Sequence, residues 1–506
     1  MTTIALLGDI HLPDREDTVK DLVWDWALAE ARRQGAELLV GLGDLTSVGT
    51  LKAAQRVRRK LDATELPFVL SPGNAEFRTR AQTAAVLSAL STPRQHGEVL
   101  VLDSAKGSFS DDSRADLAAL PASGRRNLLV ATHCPPADLP EGDRAMLDEL
   151  AAAGVIGCLA VGHKHWDASS GCCQQIRGLD PDKAQGGPPA LVIMRQRSLG
   201  WQRQDISCPL ADPLNWSEAE RREWLANLGI SAMGQTLPAL AEARAEGVAA
   251  VELRYEATRG IADNELLPAL AAWRGAGGRC LSMHCPSIAW QDGDVTGVSE
   301  LRACAEYSRR LCVDRVTVHV PGVTVQELQR DAVPYGALLD ATCDCLRPLV
   351  DAGIAIGIEN MHMRDAERVG DKRGFGYIPR ECQEWIEALR GRLGKDAVAF
   401  HLDIGHARNN NWYSSLYNLS EWYAEMGSWL SGCHLHQYSL VDGRYDNHYP
   451  LHEIYGGFIS LASFFMSWHL GQCRHVPMFL EIRHESSIAS YRSLRSALGL
   501  ARGEDA

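Results

Sequence analysis

The sequence predicts an α/β protein built as two units, a layered α/β unit followed by a (β/α)8 barrel. Three observations lead there. The chain has 506 residues, too long for one ordinary domain. Short apolar runs alternate with amphipathic stretches through the first two hundred residues or so, the pattern of strands layered with helices. From about residue 229 a strand-then-helix unit recurs eight times over roughly 270 residues, the count and length of a TIM barrel.

The elements follow in order. Apolar runs at 4–8, 38–42, 67–70, 98–102, 127–131 and 156–161 read as strands, and 190–194 with 200–206 as a closing hairpin. The stretch 166–189 is rich in Gly, Ser, Asp and Pro and reads as a loop. Cys208-Pro209 and Pro213 break the pattern, and a charged helix at 217–228 leads into the barrel. The expected organisation is therefore a first unit at 1–207, a linker and helix at 208–228, and a barrel at 229–506. Its strands fall at 230–234, 249–255, 279–285, 315–320, 355–361, 397–404, 432–438 and 477–483, with helices such as 237–246, 298–311, 379–393 and 459–470 between them. Parallel strands covered on both faces account for the near-continuous apolar runs.

Composition narrows the class. Hydrophobic residues are 45% and charged residues 23% of the chain, which is globular usage. No apolar run reaches a membrane span, and Ile4-Ala5-Leu6-Leu7 leaves no room for a secretory leader, so a cytoplasmic protein is expected. The 14 cysteines are scattered without zinc-ribbon spacing and read as small buried hydrophobes. A net charge of −13 argues against a grip on long nucleic acid, and carboxylate-rich metal sites add to that acidity.

Chemistry-bearing residues sit just beyond the predicted strands of the first unit, where open α/β sheets gather ligands. These are Asp9-Ile10-His11, Gly43-Asp44, Gly73-Asn74, Thr132-His133 and Gly162-His163-Lys164-His165. Carboxylates with imidazoles suit two hard divalent cations, Mn, Fe or Zn, that share a bridging carboxylate and activate water. This order resembles the calcineurin-like metallophosphoesterases over about 165 residues. The resemblance implies one metal held by Asp9, His11, Asp44 and His165, and a second held by Asp44, Asn74, His133 and His163, with Asp44 and Asn74 central to catalysis. Two positions depart from the family: Ala75 stands where a histidine follows Gly-Asn, and Ser47 where a second Asp follows Gly-Asp.

The barrel strands end in a second set. Glu252, His284, His319, Glu359, Asp403 with His406, and His434 lie at successive strand ends, followed by Asp446, His448 and Glu481. The set resembles the xylose-isomerase-like superfamily, which includes the class II apurinic endonucleases, over about 270 residues. The endonuclease pattern implies three zinc sites: His284, His319 and Glu359; then Glu359, Asp403, His434 and Glu481; then His406, Asp446 and His448. Glu359, Asp403, His434 and Glu481 also match the four-ligand Mn site of sugar isomerases and epimerases, where two carboxylates move a proton between carbons. One to three cations are thus expected, with Glu359 and Glu481 catalytic.

Other residues read as structural. His401 and His436 share the inward face as hydrogen-bonded neighbours of ligands. Glu252 either pairs with Arg254 or another neighbour, or touches substrate. His452, His475 and His484 read as surface or packing residues, and Trp412, Trp422, Trp429 and Trp468 as packing. The stretch 409–413 is expected over the pocket. The functional expectation is a bifunctional metal-dependent phosphoester hydrolase acting on a nucleotide-like or sugar-phosphate substrate. An isomerase or epimerase barrel joined to a phosphatase, an abasic-site endonuclease and a metal-stabilised interaction module are the alternatives, and homo-oligomers are open.

Overall fold

The computed structural model describes residues 2–198, 200–364, 367 and 373–501. The first apolar run forms β1 (Thr3–Leu7), which pairs in parallel with β2 (Leu38–Leu42), itself parallel to β3 (Phe68–Ser71). A second sheet contains β4 (Val99–Val101), β5 (Leu128–Thr132), β6 (Ile156–Val161) and β7 (Cys173–Gln175). The hairpin β8 (Ala190–Arg197) and β9 (Gly200–Ser207) returns to the first sheet, whose order is β9-β8-β1-β2-β3. Ile4, Leu6, Val40 and Val192 from one sheet meet Val101, Leu129, Ala131 and Ala160 from the other in a dry core. Each such buried Val, Leu or Ile side chain contributes about 1.5–3 kcal/mol through area removed from water. This layer places the C-terminal ends of β1, β2, β3, β5 and β6 at one edge.

One expectation is corrected. The stretch 166–189 is not all loop: Ala168–Ser170 and Cys173–Gln175 form a hairpin whose second arm runs parallel to β6. Edge pairing draws on backbone N–H and C=O groups alone, so a polar sequence satisfies it.

Eight parallel strands close into a barrel in chain order: β10 (Leu228–Ala232), β11 (Ala250–Arg254), β12 (Cys280–His284), β13 (Arg315–His319), β14 (Ala355–Glu359), β15 (Val398–Asp403), β16 (Leu430–Leu435) and β17 (Met478–Leu480). Helix Glu218–Asn227 carries a Ser217/Glu220 capping box and runs straight into β10, so that strand begins two residues earlier than its sequence suggests. The helix expected at 459–470 is shorter, Ala462–His469, because short strands Tyr455–Gly456 and Ile459–Ser460 precede it. The chain divides into two units, Met1–Asn215 with Ser460–Met466, and Trp216–Ile459 with Ser467–Ala506. No described helix is long and apolar enough to cross a membrane. The cysteines are free.

The barrel interior departs from the usual layers of branched aliphatics. Beneath the rim lie Ser231, Glu252, Ser282, Arg315, Thr317 and His401, all nearly or fully buried. Arg315 donates from Nη2 to His401 Nδ1 at 2.9 Å and from Nη1 to the Ser431 carbonyl. A polar interior of this kind is stable only when its groups pair with one another.

Candidate metal centres

In the N-terminal unit the seven expected residues converge. Asp9, Asp44 and His133 are 0–3% exposed. His11 Nε2 lies 3.5 Å from Asp44 Oδ2, and its ring stacks on His165 with centroids 5.3 Å apart. One atom each from Asp9, His11 and His165 falls within 4.8 Å of the others. On the other side, His133 Nε2 is 3.5 Å from Asp44 Oδ1, 3.0 Å from the Asn74 amide and 3.0 Å from His163 Nδ1. His133 Nδ1 donates to the Leu42 carbonyl at 2.9 Å, which leaves Nε2 as the free lone pair. Turning the Asn74 amide lets its nitrogen donate to both imidazoles and its oxygen accept from Arg78. In the other orientation its oxygen joins the imidazole lone pairs. Asp44 thus lies between two donor groups.

Loops build this centre, and their backbone is strained. Five of the seven residues, Asp9, His11, Asp44, His163 and His165, have φ between 49° and 76°. A non-glycine residue there costs of order 1–3 kcal/mol, and such strain clusters at functional sites. Glycine is required beside them: a Cβ on Gly43 (φ 87°) would sit 2.7 Å from both Gly73 Cα and His133 Nδ1. Two supports hold the loops. Buried Glu76, which the sequence reading passed over, accepts from the N–H groups of Asp44 (3.0 Å), Thr46 (2.9 Å) and Gly73 (2.8 Å), tying the second loop to the third. Buried Lys20 pairs with Asp180 (2.8 Å) and Asp182 (3.1 Å). Those aspartates belong to the segment whose Leu179 N–H donates to Gly8 (2.9 Å) and whose Gln185 N–H donates to the His165 carbonyl (3.1 Å).

The electrostatics are those of donor groups withdrawn from water. Burial pushes the Asp9 carboxyl up to about 7, with His133 opposing and Asp44 adding to the rise. Burial drives His11 well below the usual imidazole range, and neither of its ring nitrogens has a hydrogen-bond partner among the described residues. Buried polar atoms left in this state are costly unless a ligand completes them.

In the barrel, Glu359 is the hub. His284 Nε2 and His319 Nε2 lie 3.2 and 3.3 Å from its Oε2, and His434 Nδ1 lies 3.1 Å from its Oε1. His434 Nδ1 is also 3.2 Å from Glu481 Oε2 and 3.7 Å from Asp403 Oδ2. Glu359, Asp403, His434 and Glu481 each offer one donor atom within 4.8 Å of the rest. Among the described residues His284 Nε2, Glu359 Oε2 and Glu481 Oε2 are buried beside one another's donor atoms without an aligned hydrogen bond, which fits a cation at their meeting point. Asn360 fixes Asp403 by accepting from its N–H (2.8 Å) and donating to its carbonyl (3.1 Å). Burial, with Arg254 next, drives His284 down to about 4. Arg254 contacts Glu481, so the Arg254–Glu252 pairing does not form; Glu252 takes His434 instead.

The third expected set does not assemble. Asp446 is 46% exposed and pairs with His484 at 3.1 Å. His436 occupies its place: its Nε2 is 3.0 Å from Asp403 Oδ1, and Asp403, His406, His436 and His448 form a four-donor group. The antiparallel hairpin Gln437–Val441/Arg444–Tyr449 puts Asp446 opposite Ser439, whereas His448 turns inward with φ 65°. Glu481 is reached by His448 at 3.2 Å. His362, also passed over, stacks on His406 at 4.4 Å.

The remaining residues fall into place singly. His401 is held by Arg315, while His452 and His475 pair with Glu485 and Glu223 at the surface. Trp422 and Trp468 are buried, and Trp412 is exposed. In the stretch 409–413, Asn409 and Asn410 are buried in hydrogen bonds to Asn447 and the Tyr377 carbonyl, so they shape the rim from within.

Fold and donor sets together define a two-unit α/β protein with a carboxylate–imidazole centre in each unit. No family model matches the chain, and no curated protein matches it. Among solved structures, a D-tagatose 3-epimerase-like protein is 20% identical (TM-score 0.38), covering 55% of this chain and 99% of its own. A putative xylose isomerase from Rhodospirillum rubrum ATCC 11170 is 16% identical (TM-score 0.42), covering 54% and 99%. A dimetal phosphatase from Danio rerio is 16% identical (TM-score 0.31), covering 41% and 98%. The side chains, and not these likenesses, carry the chemistry below.

Proposed function

We propose that the N-terminal unit is a dinuclear phosphoester hydrolase and that the barrel is a single-cation isomerase or epimerase of a sugar or sugar phosphate. The two units would then act on related phosphorylated carbohydrates. Bound divalent cations supply Lewis acidity at both centres and lower the pKa of water at the first.

In the N-terminal unit Asp9, His11 and His165 would hold one cation, Asn74, His133 and His163 the other, and Asp44 both. Arg78, which donates to the Ser47 carbonyl at 2.8 Å beside Asn74, would meet a substrate's phosphate oxygens.

For the barrel, the observation that carries the reading is its charge. Glu252, Glu359, Asp403 and Glu481 bring four negative charges to the buried interior, and Arg254 against Glu481 and Arg315 beneath the rim bring two positive. A single dication restores neutrality; three would leave a large buried positive excess, which the interior penalises. Glu359 and Glu481, facing each other across His434, would then pass a proton between adjacent carbons of the bound substrate. A second reading, multi-cation phosphoester hydrolysis in the barrel, is favoured by two observations: His284 and His319 both face Glu359 Oε2, and Asp403, His406, His436 and His448 form a further four-donor group. Its abasic-DNA form has the net charge of −13 against it.

The test is carbon-bound deuterium uptake from D2O by ketoses and ketose phosphates, together with phosphate release from an aryl phosphate. Glu481→Gln is expected to abolish uptake and spare phosphate release, and Asp44→Ala to lower phosphate release by about a thousandfold or more. Three cations per barrel, no uptake, and phosphoester cleavage lost in Glu359→Ala would replace the isomerase reading with the hydrolytic one.

A further inference from the structure

We infer that Glu252 is a positioning residue that decides which nitrogen of His434 faces the cation; the inference rests on the barrel being a metal centre. Glu252 projects from β11 into the barrel, fully buried, in register with Ser231 on one neighbouring strand and Ser282 on the other. Its Oε2 accepts from Ser282 Oγ at 3.0 Å and from Thr317 Oγ1 at 2.8 Å. Two hydroxyls from two further strands therefore fix the carboxylate in place. Its Oε1 is 2.7 Å from His434 Nε2.

The two sides of His434 differ. Nδ1 looks at three carboxylates, Glu359, Glu481 and Asp403, whereas Nε2 looks at Glu252. An imidazole that gives one nitrogen to a cation keeps its proton on the other. Glu252 is the acceptor for that proton, so it selects the tautomer with Nδ1 free and makes the ring a stronger donor. Stacking fixes the ring from the sides: His284 lies parallel at 5.6 Å and His401 edge-on at 4.2 Å between centroids. Among the described residues His434 is the member of the donor cluster that this carboxylate bonds directly, so Glu252 acts through it. The sequence leaves this strand-two carboxylate open between pairing with Arg254 or another neighbour and touching substrate; the neighbour it takes is His434.

The experiment uses the full chain carrying Asp44→Ala, which silences the first centre, and follows Co2+ binding by visible absorption. Glu252→Gln is expected to weaken Co2+ binding by about 10–100-fold. Unchanged affinity in Glu252→Gln would overturn the role of Glu252 alone, whereas no Co2+ binding with Glu252 intact would overturn the metal reading beneath it. A second measurement needs no change at Glu252: 15N NMR of the Zn2+-loaded chain, with His434 identified by His434→Gln. The proton is expected on Nε2 and the cation on Nδ1, and the reverse assignment would overturn the proposal even if Glu252→Gln fails to fold.

Discussion

The two centres use the same side chains on opposite kinds of scaffold. In the N-terminal unit the donors stand on loops beyond an open sheet, and five of seven occupy left-handed backbone. In the barrel His284, His319, Glu359, Asp403, His434 and Glu481 stand at or beside strand ends with ordinary backbone, and His448 alone among the donors has positive φ. Closure of the barrel brings strand ends together by register, as where His319 pairs with Glu359 and Asp403 with His434. An open sheet has no such closure, so its loops bend through strained conformations and need anchors such as Glu76 and Lys20. Anchored, strained loops on one side and strand register on the other are two ways to hold carboxylates and imidazoles together.

The largest expected effect follows from the anchors. Lys20→Met removes the buried counter-ion of Asp180 and Asp182 and should destabilise the N-terminal unit by about 3–5 kcal/mol, read by chemical denaturation. An effect below about 1 kcal/mol would show that the loop holds itself and would break the contrast with the barrel.

The intermediate effect is one of sign with pH. Asp9 is raised from 3.8 to about 7, so between these values the folded chain keeps a proton that the unfolded chain releases. Its contribution to cation-free stability therefore falls as pH rises through that window. His284 is lowered from 6.5 to about 4, so below 6.5 the unfolded chain takes a proton that the folded chain refuses. Its contribution is lost as pH falls from 6.5 to about 4. Differences in Tm isolate the two. Without cations, wild type minus D9N should fall with rising pH, and wild type minus H284Q should fall with falling pH. Equal signs would erase the distinction.

The smallest effect is expected at Asp446. Its ion pair with His484 is half exposed, so Asp446→Asn should cost less than about 1 kcal/mol and leave the barrel's cation content by elemental analysis unchanged. Loss of a cation in that variant would restore Asp446 to the centre.

The sequence by itself determined the α/β class, the eight strand–helix repeats and the strand-end placement of both donor sets. Hydrophobic period and chain order specify strands, and residues just past a strand share an edge once strands align in parallel. Only the tertiary structure decided which donors meet. Asp446 and His448 are two residues apart in a hairpin, yet one pairs with His484 outside and the other reaches Glu481 inside, because the pairing of the two arms sets where each side chain goes. Glu76 and Lys20 carry no local signature either, and Glu252 shows its strand-end place but not its partner. Each acts on partners 32, 160 and 182 positions away, Asp44, Asp180 and His434, and a buried charge acquires its meaning from the groups that replace its water.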